Sequence, residues 1–354
     1  MTHILANSAQ ELNLVHDLLA KKVPSYRQAY SDRTAWLMAC VAELAYLRFN
    51  SLFSVAHQKD YFLNAIEKLL NESKKASLVK LLDIVGYDHE KEKITLEEEL
   101  GVVQMTLVDT FDEDGTQAIL VLFGDYLVLG FRGTEATSIK DIKADAKAKT
   151  TASETGGKIH SGFKEAYEKV SFDIQKALNK EEFRDKSLFI TGHSLGGALA
   201  TIAAKNLSHK AGLAGCYTFG SPRVGDADWI EDIKTPIYRV VNAADCVTML
   251  PPGSDIINGV SWFTRFIPAF GDSISRFLLS NFGGYLHSGD MRYLTNCAAG
   301  QYEDVKLLYA VTIFHRVKGL MMHHLSWKHF LADHSMSNYR EKLKIIARNR
   351  NDIA

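Results

Sequence analysis

The stretch SLFITGHSLGGALATIAA, residues 187–204, decides the architecture of this chain. Its first part, Ser187–Thr191, is an apolar run of strand length. Its second part, from Gly196 on, is a run of small helix-compatible residues that reads as a helix over 196–207. Between them stands Gly192-His193-Ser194-Leu195-Gly196, a G-x-S-x-G at the junction of strand and helix. That junction is sharp enough to hold Ser194 in a strained backbone conformation. Glycines at 192 and 196 let neighbouring backbone pass where a Cβ would collide. The Ser194 hydroxyl is then offered at a helix N-terminus, where the dipole favours developing negative charge. Strand before and helix after are the context that a nucleophile elbow requires.

A serine hydroxyl needs a base to take its proton. With this elbow, the acid and the histidine follow in the order Ser, Asp or Glu, His. The acid belongs just past a downstream strand. Tyr238-Arg239-Val240-Val241-Asn242 is such a strand, and Asp245 follows it. Asp226, Asp228 and Asp232 fall in or near a helix and read as caps or solvated charges. Five histidines follow Asp245: His287, His315, His323, His324 and His334. Pattern alone does not choose between His324 and His334. Chain order and a loop position before a C-terminal helix favour His334.

Working outward, helix and strand alternate on both sides of the elbow. A helix is expected over 163–178, strands over 216–219 and 237–241, and a short helix over 226–233. Such alternation argues for βαβ units and a parallel sheet. Upstream, residues 103–108, 117–123 and 126–132 read as three strands joined by turns at Asp114-Gly115 and Gly124-Asp125, an antiparallel meander. The DEDG at 112–115 lacks the 12-residue spacing of a calcium loop and reads as a hairpin turn.

The first hundred residues read as helical. Ser8 and Glu11 have capping-box spacing. Leu37, Cys40, Val41, Leu44 and Leu47 form one broad stripe over 35–49. Two further helices are expected near 61–71 and 74–84. All four read as helices packed on a catalytic core. The 354 residues carry 41 Lys plus Arg and 42 Asp plus Glu, with 46% hydrophobic residues. That composition is globular, and the near-zero charge argues against nucleic acid as a partner. Cys40, Cys216, Cys246 and Cys297 form no C-x-x-C pair, so no metal site is expected. No apolar run is long enough for a transmembrane helix.

Six ordered segments resemble the class 3 lipase family of fungal-type triacylglycerol lipases. They are Gly130-Phe131-Arg132-Gly133-Thr134, Ile159-His160-Ser161-Gly162-Phe163, GHSLGGALA at 192–200, YTFGSPRVGD at 217–226, YRVVNAADCVTMLPP at 238–252 and DHSMSNY at 333–339. The resemblance implies an α/β-hydrolase fold, with a mostly parallel central sheet flanked by helices. It implies cleavage of lipid carboxylic esters without a cofactor. By position it makes Ser194 the nucleophile, Asp245 the acid and His334 the base. It also implies an oxyanion hole built from the backbone N–H groups of Thr134 and Leu195. An acyl-ester or lipid is the expected substrate, with contact to a lipid interface.

Two departures stand out. Relatives carry a tryptophan in the segment after F-R-G-[ST], where a lid begins, but residues 138–145 read SIKDIKAD. Between Pro252 and His287 an apolar stretch is inserted, and Phe270, Ile274, Phe277 and Leu278 share one helical face there. The expectation is therefore one hydrolase domain over 1–354. Residues 1–100 form a helical extension, and 101–354 a core with the insertion near 253–286. A cytoplasmic location is expected, with signal-independent export as the other route, because the N-terminus shows no basic-then-apolar leader and the cysteines are unpaired. Two other functions share the sequence pattern: a phospholipase A1 or acyltransferase on the same residues, and a hydrolase-like binding protein without catalysis.

Overall fold

The computed structural model describes residues 3–20, 29–47, 49, 88–133, 150–243, 245–251, 253, 284–297, 300–309, 311–312 and 332–353. The expected helices near 61–71 and 74–84, the segment 138–145 and most of the 253–286 insertion lie outside them.

Helix α1 (Ala9–Leu19) begins as its capping-box spacing requires. Ser8 accepts from the Glu11 N–H, and the Glu11 carboxylate reaches back to the Asn7 N–H at 2.8 Å. Helix α2 (Asp32–Leu44) is capped by Ser31 and is buried along nearly its whole length. A helix that is apolar all round belongs inside a protein. Helix α3 (His89–Val102) leads into a meander of β1 (Thr106–Glu113), β2 (Thr116–Phe123) and β3 (Tyr126–Phe131). A small hairpin, β4 (Thr150–Ala152) and β5 (Lys158–His160), precedes α4 (Ser161–Leu178). Then come β6 (Ser187–His193), α5 (Leu195–Asn206), β7 (Leu213–Phe219), α6 (Ala227–Glu231) and β8 (Ile237–Asn242). Strands β9 (Asp290–Leu294) and β10 (Leu307–Leu308) and helix α7 (Met336–Ile353) complete the described chain.

The main sheet has eight strands in the order β1-β2-β3-β6-β7-β8-β9-β10. Pairing is parallel from β3 through β9 and antiparallel at both ends. This is the mostly parallel, helix-flanked sheet of the α/β-hydrolase fold. The alternation of side chains along each strand feeds two apolar layers. Ile119, Val128, Phe189, Tyr217 and Val240 join the layer holding α1, α2 and α7. Leu120, Leu127, Ile190 and Cys216 join the layer holding α4 and α5. A strand buried on both faces reads as a continuous apolar run, as Leu188-Phe189-Ile190 does.

Two boundaries differ from the sequence reading. Val103 and Met105, expected to open a strand, close α3 instead. Both are buried, and their amides bond back to the Leu100 carbonyl. The strand starts only at Thr106. Their apolar side chains plug the helix end, and apolar content alone does not separate that use from a strand. Strand β9 opens with Asp290, Met291 and Arg292, too polar a start to be read as a strand at all.

Candidate active site

Ser194 sits between β6 and α5 with φ +56° and ψ −125°, a left-handed conformation uncommon for a residue with a Cβ. Its N–H donates to the Phe219 carbonyl of β7 at 2.9 Å. The elbow closes because its glycines permit it. A Cβ on Gly192 would strike the Gly196 carbonyl, and one on Gly196 would strike the Phe131 carbonyl at the end of β3. The F-R-G segment therefore runs directly against the elbow.

Strand β8 ends at Asn242 and delivers Asp245 just past the sheet edge. The loop is tied down at several points. Asp245 N–H donates to the Asn242 carbonyl, and Thr248 Oγ1 donates to the Asp245 carbonyl, both at 2.9 Å. Arg223 Nη1 holds the carbonyls of Met249 and Pro251 at 2.6 and 2.7 Å. His287 Nε2 donates to the Thr248 carbonyl at 2.6 Å, so that histidine anchors the loop.

His334 stands in the turn before α7 and meets both partners. Ser194 Oγ lies 2.9 Å from His334 Nε2, and His334 Nδ1 lies 2.9 Å from Asp245 Oδ2. Ser194, Asp245 and His334 are all buried. The carboxylate also accepts from the Tyr339 hydroxyl at 2.6 Å on Oδ2 and from the Val247 N–H at 2.9 Å on Oδ1. A carboxylate that accepts from Nδ1–H fixes the imidazole tautomer and leaves the Nε2 lone pair facing the serine hydroxyl. Leu195 is the first residue of α5, so its N–H is one of the helix-end amides without an intrahelical acceptor. Thr134 and His324 lie outside the described residues; Gly133, just before Thr134, packs against the His193 carbonyl and the Tyr46 hydroxyl.

Three neighbours were not read from the sequence. Tyr339 belongs to the quoted DHSMSNY segment, but only the fold turns its hydroxyl toward Asp245. His193, the variable residue of G-x-S-x-G, tilts against the His334 ring with centroids 4.5 Å apart. Tyr46, just after α2, lies 2.8 Å from His193 Nδ1 through its hydroxyl. Burial pushes the His193 imidazole well below the usual histidine range, and the neighbouring His334 pushes it the same way. Among the described residues there is no cluster of side chains suited to a metal ion.

Residues 128–254 match the family model described as lipase (class 3). A secreted mono- and diacylglycerol lipase 1 of Fusarium solani is 39% identical over 99 residues, 27% of this chain and 30% of that protein. Lipase ZK262.3 of Caenorhabditis elegans is 30% identical over 179 residues, 48% of this chain and 49% of that protein. The chain thus spans half or less of the length of these relatives. The crystal structure of a mutant MDLA of Penicillium cyclopium superposes with a TM-score of 0.53 at 19% identity, covering 87% of this chain and 96% of that one. That last likeness concerns the fold.

The cytoplasmic expectation is corrected by these likenesses. The Fusarium relative is a secreted enzyme, which points outside the cell. The cysteine argument fails for a physical reason. The four cysteines are free, and Cys40 and Cys216 are buried. Burial pushes the Cys40 thiol up to about 12, where it forms almost no thiolate in any compartment.

Proposed function

From the match of residues 128–254 to the class 3 lipase family model, we propose that the chain is a member of that family and a serine hydrolase of lipid carboxylic esters. The observation that carries this reading is the His334 imidazole, hydrogen-bonded on one side to Ser194 and on the other to Asp245. In the proposed reaction Ser194 Oγ attacks the ester carbonyl carbon while its proton passes to His334 Nε2. The carbonyl oxygen becomes an oxyanion, received by the N–H groups of Leu195 and Thr134. One such donor contributes about 2.7–4 kcal/mol in sites of this type. His334 then returns the proton to the departing alcohol, leaving an acyl-serine. Water, deprotonated by the same nitrogen, releases the acid. Asp245 holds the imidazole in its working tautomer and stabilises its protonated form.

Chain length and headgroup preference depend on pocket shape, which the triad does not set. The secreted Fusarium relative supports a workplace outside the cell. The single-domain organisation over 1–354 is part of the same proposal. The test is turnover of p-nitrophenyl acyl esters together with labelling by a fluorophosphonate. Wild-type protein is expected to hydrolyse the ester and take up the label, and Ser194→Ala to do neither while keeping its circular dichroism spectrum. Undiminished turnover by Ser194→Ala refutes the assignment.

A further inference from the structure

Behind the triad lies a buried ammonium that the proposed reaction does not use. Lys342 is on α7 and is 2% exposed. Its Nζ donates to Asn242 Oδ1 at 2.7 Å and to the Thr295 carbonyl at 2.9 Å. It also faces the Tyr302 ring, 5.9 Å from the centroid. Among the described residues no carboxylate comes within ion-pair distance of it. Burial pulls the ammonium below its ordinary range, with Cys297 and Asp333 opposing. A buried charge with no close counter-ion is costly for stability, so its place in the fold calls for another role.

Its partner Asn242 is fully buried at the end of β8 and holds both halves of the acid–base pair. The Asn242 Nδ2 group donates to the Asp333 carbonyl at 2.8 Å, the peptide that leads into His334. The Asn242 N–H donates to the Tyr339 hydroxyl at 2.9 Å, and that hydroxyl donates to Asp245 Oδ2. An asparagine amide has two ends of nearly equal shape. Only its partners decide which end points where. Here one partner, an ammonium, only donates. The other, a carbonyl, only accepts. Together they leave one orientation.

We propose that Lys342 is a positioning residue: its ammonium locks the Asn242 amide so that Nδ2 holds the peptide before His334 at the height where the imidazole meets both Ser194 and Asp245. The proposal rests on the hydrolase reading. Without the donor at 342, Asn242 Oδ1 loses its partner, and a single bond, from Nδ2 to the Asp333 carbonyl, is left to hold the amide in place. The amide can then rotate out of that position, and the turn carrying His334 would shift. A displacement of about 1 Å at a reacting group costs on the order of 100-fold in rate.

The test is Lys342→Met, which keeps the length and apolar stem and removes the donor. The expected result is a kcat at least tenfold lower, a KM within twofold of wild type and a folded circular dichroism spectrum. Relief of the uncompensated buried charge is set against two buried acceptors, Asn242 Oδ1 and the Thr295 carbonyl, that lose their donor, so the folded spectrum is the control. A kcat within twofold of wild type overturns the proposal. Should that variant not fold, Asn242→Asp decides. It supplies Lys342 with a counter-ion but takes the donor from the Asp333 carbonyl, so it is expected to fold and to lose kcat in the same measure. Retained kcat there overturns the proposal. A second readout needs no turnover: the proton resonance of the His334 Nδ1–H bond to Asp245. It is expected in wild type and expected to shift or vanish in Lys342→Met. An unchanged resonance overturns the positioning role. Absence of ester turnover in wild type, with this resonance still responding to Lys342→Met, counts against the hydrolase reading alone.

Discussion

Gly220 stands directly behind the acid–base pair, at φ +56°. A Cβ there would lie 2.7 Å from Asp245 Oδ2 and 3.0 Å from both Nδ1 and Cε1 of His334. Gly220→Ala therefore pushes on the bond that orients the base, in a backbone conformation that also disfavours a side chain. The expected outcome is a drop in kcat of roughly 100-fold, the scale for a misplaced reacting group, with the folded spectrum retained; a fully active variant contradicts the geometry. His193 makes a different statement, about stability. The unfolded chain takes up a proton on this residue near pH 6.5, whereas the buried imidazole does so only at a well lower pH. The unfolded state thus binds more protons as pH falls below about 6.5. Stability is complete above that value and declines through the window down to the folded-state pKa. Other groups titrate in this range too, so the measure is a difference. Between pH 8 and pH 5 the urea midpoint of wild type is expected to fall more than that of His193→Gln. Equal slopes would remove His193 as a source. The residues that bear the proposed chemistry were legible because their signals are local: G-x-S-x-G for Ser194, a strand end for Asp245, order and position for His334. Tyr46, Tyr339 and Lys342 were not, because nothing in their own segments says what distant side chain they will meet.

At the scale of elements, helix α2 is the instructive case. Its apolar stripe announced a packed helix, but the stripe gave no measure of how completely it is enclosed. It lies between the sheet and α7, and its Met38 carbonyl accepts from Thr191 Oγ1 of β6 at 3.1 Å. Small side chains make this approach possible. Ala35, Ala39 and Ala42 are fully buried, and Val41 fills the space beside Gly130 of β3, where a Cβ would come within 2.8 Å. Ala39→Leu would insert three carbons where close packing leaves no room for them. Overpacking of this kind costs about 1–3 kcal/mol. The expected readout is an unfolding free energy, from urea titration, lowered by that amount; a neutral effect would mean the layer has slack. The expectation for Val103–Val108 failed at this same scale. Two buried apolar residues serve equally to end a helix or begin a strand, and the choice rests on what lies beneath them.

For the whole molecule, the question is whether the N-terminal segment is an appendage or part of the body. Contacts far apart in sequence argue for the second. Arg340 on α7 reaches the Glu43 carboxylate and the Leu5 and Ile4 carbonyls, the last at 3.0 Å. Lys344, one turn on, holds Glu11 at 2.8 Å. Glu99 accepts from the amides of Ile4 and Leu5 at 2.8 and 3.0 Å. The turn that carries His334 is thus continuous with a helix clamped by the chain's first hundred residues, and α2 shares one apolar layer with Phe189, Tyr217 and Val240 of the sheet. Removing that layer would expose one whole face of the sheet. One cooperative opening of both layers is the expectation that these contacts set. Arg340→Ala tests the clamp, since it leaves the mostly covered Glu43 carboxylate beside an empty site. Burial already holds the Glu43 carboxyl above its usual range, with Arg340 opposing. Losing the partner of a buried charge costs about 3–5 kcal/mol. The carboxyl escapes part of that penalty by taking up a proton, so the deficit is expected to shrink as pH falls toward 5. Native-state hydrogen exchange supplies the measurement. Amides of α2 and of α5, on opposite faces of the sheet, are expected to lose protection together and by the same amount in Arg340→Ala. Loss confined to α1, α2 and α7, with α5 unchanged, would instead make the first hundred residues and α7 a separately folding layer.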